Sequence, residues 1–102
     1  MQTKFPGLSN KEYIILSLLV AKPEMFGLEM VEASNSDLKR GTIYITLQRM
    51  QQKGLVESRE EVRAEPEIGI ARRRYKATVF GERVFRAQEI ALRYLNMNAS
   101  WD

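Results

Sequence analysis

Arg72-Arg73-Arg74 and Lys76 place four cations within five positions, and a second basic block runs from Lys39 and Arg40 through Arg49 to Lys53. Guanidinium and ammonium groups at this density neutralise phosphate, and a forked guanidinium also matches paired acceptors on a base edge. Among the basic residues of the second block stand Thr42, Thr46 and Gln48, short polar side chains that reach base edges without steric conflict. Elsewhere the balance is reversed: residues 23–36 and 54–71 each carry −3, whereas 37–53 carry +3 and 72–81 carry +4. A lone basic run is ordinarily solvated surface. Two such blocks flanking one predicted hairpin point instead to a polyanion site.

Other chemistries are removed by composition. The 102 residues contain no cysteine and no histidine. Disulfide scaffolds, thiolate or imidazole zinc sites, cysteine nucleophiles and a Ser-His-Asp arrangement therefore cannot be built. The carboxylates fall mostly in one exposed loop, where no pKa tuning is expected. No enzyme activity and no cofactor or metal is expected. The net charge of +3 is mild, so its meaning rests on where the charges sit. One domain fits this length. No apolar run reaches the roughly 18 residues of a membrane span, and Met1 to Pro6 lacks an apolar leader core. A cytoplasmic protein without membrane contact is expected.

Several elements must position the basic residues. Ser9-Asn10-Lys11-Glu12 is a capping box that starts a first helix running to Val20-Ala21, which must stop before Pro23. A short second helix is predicted from Leu28 to about Ala33, followed by the polar turn cluster Ser34-Asn35-Ser36-Asp37. A third spans about Arg40 to Lys53, closed by Gly54. Its inward stripe is Ile43, Leu47 and Met50, which leaves Ile45, Gln48, Arg49 and Gln52 on the far side, flanked by Thr42 and Thr46. Tyr44 falls at the edge of the stripe. Beyond Gly54 the periodicity turns strand-like over residues 55–59. A loop follows with Pro66 and Gly69, and a returning strand runs from Ala71 to Ala77. Thr78 caps a last helix from 79 to about 97.

The order α-α-α-β-β-α predicts an α+β chain, mostly α, of winged helix-turn-helix layout, with its third helix sized for a major groove. Residues 1–78 are assigned to the DNA-binding unit and 79–102 to a C-terminal dimerisation helix of the same compact unit. The expected DNA contacts are Lys39 and Arg40 ahead of the third helix, Ile45, Thr46, Gln48 and Arg49 on it, and Arg72 with Arg74 on the wing strand. Strand alternation puts Arg72 and Arg74 on one face and Arg73 on the other. The last helix carries Phe80, Val84, Ala87, Ala91 and Tyr94 as an apolar stripe, widened by Leu95 and its neighbours. A core of this size does not need that stripe, so a second copy packing against it, and hence a homodimer, is expected. Tyr94 and Trp101 are candidates to line an effector pocket. The alternative is a winged-helix module that binds protein through Ile45 and an acidic wing, without sequence-specific DNA binding.

Three blocks in order carry a family resemblance. Leu38-Lys39-Arg40-Gly41-Thr42-Ile43-Tyr44 through Arg49 to Gly54-Leu55-Val56 resembles the recognition-helix signature of PadR-like transcriptional regulators, roughly P-G-T-L-Y-P-x-L-x-R-L-E-x-x-G-L-I. Arg72-Arg73-Arg74-Tyr75 through Thr78 to Gly81 resembles the family's R-R-R-Y-Y-x-L-T-x-x-G, and Leu18-Leu19 through Phe26-Gly27-Leu28-Glu29-Met30 its upstream stretch. Ile45 replaces the family's common proline, Phe26 its histidine, and the wing is acidic at Glu57, Glu60, Glu61, Glu65 and Glu67. The resemblance implies a homodimeric repressor binding a pseudo-palindromic duplex operator, with contacts from Thr42 and Tyr44. It also implies a small aromatic or hydrophobic effector that weakens operator binding. Given the acidic wing tip, the basic base of the wing rather than its tip is expected to meet DNA.

Overall fold

The structure, a computed structural model, describes residues 7–61 and 72–97. Its elements are α1 (Asn10–Ala21), β1 (Met25–Phe26), α2 (Gly27–Ala33), α3 (Ile43–Gln52), β2 (Val56–Glu60), β3 (Arg73–Ala77) and α4 (Val79–Asn96). The predicted winged-helix order is present, with one strand added. Met25 pairs with Tyr75 and Phe26 with Arg74, so an antiparallel sheet forms in the order β1-β3-β2. Two residues are too short to show a period, which is why β1 escapes the sequence pattern.

Helix α1 begins as its capping box requires. The Ser9 hydroxyl accepts from the Glu12 N–H at 3.2 Å, and the Glu12 carboxylate accepts from the Ser9 N–H at 2.9 Å. Ile15, Leu16 and Leu19 of α1 enter the core, where they meet Met30, Leu38, Ile43, Leu47, Met50 and Tyr75. Between α2 and α3 the chain turns through Asn35 and Ser36, at φ 52° and 77°. Left-handed backbone at two consecutive non-glycine residues costs on the order of 1 kcal/mol each. The buried Ser34 holds the turn: its hydroxyl donates to the Val31 carbonyl at 2.8 Å and accepts from the Leu38 N–H at 2.9 Å.

Helix α3 starts three residues later than the periodicity suggested. Residues 40–42 form a turn in which the Lys39 carbonyl accepts from Thr42 and Ile43. Gly41 lies inside that turn, and glycine is among the poorest helix formers. At the other end Gly54 takes φ 78° and releases the chain into the wing. The junction with α4 is tight. The Leu55 carbonyl accepts from the Thr78 N–H at 3.1 Å, and a Cβ at Gly81 would overlap that same oxygen. Only glycine fits there.

The first half of α4 completes the core through Val84 and Phe85, whose ring lies 5.0 Å from that of Tyr13. Gln88 ends this contact by accepting from the Leu8 N–H at 3.0 Å.

A polar link ties the two ends of the helical layer together. Lys53, just past α3, donates to the buried Glu12 carboxylate at 2.7 Å. Burial works to raise the Glu12 pKa; hydrogen bonds from Lys53 and the Ser9 backbone outweigh it and hold the carboxyl below its ordinary value. A carboxyl depressed in the folded state stabilises above its unfolded pKa, and that contribution is lost as pH falls through the folded value. Glu12→Gln should therefore lower the unfolding free energy by about 1 kcal/mol at neutral pH. The gap from wild type should close below roughly pH 4 in urea titrations across pH.

Candidate nucleic-acid interface

Burial of Ile43, Leu47 and Met50 fixes the rotation of α3 about its own axis. The opposite side therefore looks outward: Gln48, Arg49 and Gln52 are exposed, and so is Ile45, at 53%. Thr46 is half-buried, and its hydroxyl donates back to the Thr42 carbonyl at 3.1 Å. Its donor is occupied while its lone pairs stay open to a partner's N–H. Thr42 is exposed at the N-cap, and Lys39 and Arg40 are exposed on the turn before it. The ring of Tyr44 is half-exposed and rests over Gly27, where a Cβ would come within 2.8 Å of it. Gly27 thus lets the start of α3 sit close to α2.

The wing differs from expectation in which arginine it aims at α3. Along β3, Tyr75 is buried against the helices, so Arg73, two residues away, shares the helix side. Arg73 lines a groove with Tyr44, Gln48, Gln51, Gln52 and Tyr75. Arg74 turns to the outer face of the sheet. There it pairs with Glu61 at 2.9 Å, and its guanidinium lies 4.6 Å from the centre of the Phe26 ring. The same face holds Arg59 bound to Glu24 by two nitrogens, at 3.1 and 3.0 Å, and Lys76 against Glu57 at 3.1 Å. The Glu24 carboxyl is held below its ordinary value, chiefly by the Arg59 hydrogen bond. Glu57 of β2 and Glu61 just beyond it therefore pair with the outward cations of β3, and Arg74 is not among the groups that face the α3 side.

Arg72 precedes β3 and lies over the Phe26 ring at 5.0 Å. With Arg73, Leu28, Tyr44 and Phe26 it borders a cleft of about 190 Å³ beside the start of α3. The wing tip, including Arg63, Glu65, Pro66, Glu67 and Gly69, lies outside the described residues, as does Trp101.

On α4 the expected stripe divides. Val84 is 4% exposed and belongs to the core of its own chain, so it is unavailable to a second copy. Ala87 is partly buried, whereas Phe80, Ala91, Tyr94 and Leu95 are exposed, Leu95 at 69%. Ile90, Leu92 and Met97 extend the bare surface.

A winged helix whose third helix turns a polar, cationic side outward is matched by comparison with known proteins. The model of the transcriptional regulator PadR-like family matches residues 15–87. The chain belongs to that family. The regulator is similar to a PadR family transcription regulator from Clostridium difficile R20291, with 26% identity and a TM-score of 0.73 over 87% of this chain and 93% of that one. A PadR-like transcription factor from Bacteroides fragilis shares the fold, at 24% identity and a TM-score of 0.73, over 86% of this chain and 84% of that one. The PcaV transcriptional regulator from Streptomyces coelicolor, solved in complex with its natural ligand, is 28% identical with a TM-score of 0.65. That match covers 94% of this chain and 62% of PcaV. Comparison with curated proteins gives no match. Among the described residues no helix is long and apolar enough to cross a membrane.

The division of α4 yields a stability prediction. Val84→Glu should lower the urea unfolding free energy by about 3 kcal/mol or more, because it forces a charge into the core. A midpoint unchanged from wild type would mean that Val84 is not held in that core.

Proposed function

We propose that this regulator is a homodimeric, sequence-specific DNA-binding repressor whose operator is a pseudo-palindrome. The observation that carries this reading is the outward side of α3, where Gln48 and Arg49 are exposed beside Thr42 and Thr46. Arg49 suits a guanine edge or a phosphate, Gln48 an adenine edge, and Ile45 a thymine methyl. Lys39, Arg40 and Arg72 supply backbone-neutralising charge around them.

Dimerisation is supported by the outer half of α4. Ile90, Tyr94, Leu95 and Met97 are each more than 60% exposed. Leaving such side chains in water forfeits about 25 cal/mol per Å² of apolar surface, which a second copy recovers. The two recognition helices would then address half-sites about one DNA turn, roughly 34 Å, apart. Relief by an effector, which we take to be a small aromatic or hydrophobic compound, is supported to the extent that the similar regulator PcaV binds a natural ligand. The cleft beside Phe26, Leu28 and Tyr44 has room for a single-ring compound, and any occupant would touch α3 through Tyr44.

A gel-shift titration at two salt concentrations tests the reading. Affinity should fall steeply with salt. Thr46→Ala and Arg49→Ala should impair discrimination between operator and unrelated duplex, by about 1–3 kcal/mol for Arg49 if it reads a guanine. Salt-insensitive binding, or both variants discriminating as wild type does, would favour a protein-binding role for the exposed Ile45 face. Leu95→Glu should give monomers in sedimentation while keeping wild-type helicity. A wild-type chain that sediments as a monomer would overturn the dimer.

A further inference from the structure

We propose that Arg73 is a phosphate-contacting residue of the wing and that Ser58 and Gln51 position it, through a hydrogen-bonded relay joining the wing to the recognition helix. Arg73 Nη1 donates to Ser58 Oγ at 3.1 Å, and Ser58 Oγ donates to Gln51 Oε1 at 3.1 Å. The three residues come from β3, β2 and α3, so the relay crosses the whole width between wing and helix. Ser58 pairs with Tyr75 across the β2–β3 ladder, so its backbone position is fixed by the sheet. Gln51 is fixed by its place on α3, one residue beyond the buried Met50.

Charge separates Arg73 from three of the other wing cations. Arg59, Arg74 and Lys76 each lie within 3.1 Å of a carboxylate, on Glu24, Glu61 and Glu57 respectively. Among the described residues Arg73 is in no ion pair, although Glu60 stands opposite it in the ladder; it contacts a neutral hydroxyl instead, which orients the guanidinium without cancelling its charge. It is exposed at the rim of the groove it shares with Tyr44, Gln48 and Gln52. A duplex strand laid along the outward side of α3 passes that rim. The relay presets the guanidinium there, so less side-chain freedom is lost when a phosphate binds.

This inference rests on the reading of α3 as the DNA-contacting helix, and the test keeps the two apart. Binding of the full-length variants to a duplex selected by the wild-type protein is measured across a salt series. Arg73→Gln should weaken binding and reduce the log–log salt slope by about 1. Arg73→Lys should restore the slope without restoring full affinity, because a lone ammonium retains the charge and loses the fork. Ser58→Ala should weaken binding roughly twofold to tenfold, the worth of one hydrogen bond, with the slope unchanged. It should have no further effect in the Arg73→Gln background. Ser58→Thr should bind as wild type, and Arg74→Gln should leave the slope unaltered. Thermal melts matching wild type exclude an unfolded variant as the cause of any loss.

Arg49→Ala weakening binding while Arg73→Gln leaves affinity and slope untouched would overturn the relay alone. A slope lost with Arg74→Gln instead of Arg73→Gln would also overturn it. A wild-type chain that selects no duplex would overturn both the reading of α3 and this inference.

Discussion

Burial of Ile43, Leu47 and Met50 is the constraint on which the rest of the molecule turns. These side chains point into the centre of the helical layer and are essentially inaccessible to water. Each contributes on the order of 1.5–3 kcal/mol by leaving solvent. Rotating α3 by about a third of a turn would surrender much of that and bring Gln48 or Arg49 into the core without partners. The outward side of α3 is thus set by its inward side. Everything that frames it follows the same core: α1 lies behind, the strained turn at Asn35 and Ser36 sets the approach from α2, and Tyr44 rests on Gly27.

The wing is attached to this frame at two levels. The Leu55 carbonyl is closed in by Thr78 and Gly81, which locks the end of α3 to the start of α4 and fixes where the hairpin leaves the core. Further out, carboxylates on β2, Glu24 and Glu61 take up the cations on the outer sheet face. Exposed pairs of this kind contribute little to stability. Their larger consequence is electrostatic: the acidic segment of the sequence answers the basic one, and positive charge persists chiefly on the side that α3 occupies. Helix α4 is likewise divided, embedded through Val84 and Phe85 and then bare from Ile90 onward.

Much of this order is legible in the sequence because short-range chemistry dictates it. The Ser9–Glu12 box, Pro23, Gly54 and Thr78 mark helix ends through local hydrogen bonds and backbone limits. The Ile43–Leu47–Met50 spacing names the buried side of α3. What escaped depends on partners distant in the chain. β1 exists only because Tyr75 and Arg74 of β3 pair with it. The late start of α3 reflects the Lys39 carbonyl turn rather than any loss of periodicity. Alternation correctly separated Arg73 from Arg72 and Arg74, yet gave no sign of which side met the helix. Tyr75 held that sign: a large aromatic in mid-strand marks the core face, and Arg73 shares its parity. The apolar stripe on α4 was visible as a whole, but composition does not reveal that Val84 and Phe85 satisfy their own core while Leu95 does not.

The most direct measurement is sequencing of random DNA fragments retained by the purified full-length chain. If α3 presents its Thr/Gln/Arg side to a duplex twice, through a symmetric pair, the retained fragments share a pseudo-palindromic consensus with half-site centres roughly 34 Å apart. Retained fragments with no common sequence, or with a single half-site lacking its mirror image, would contradict that claim.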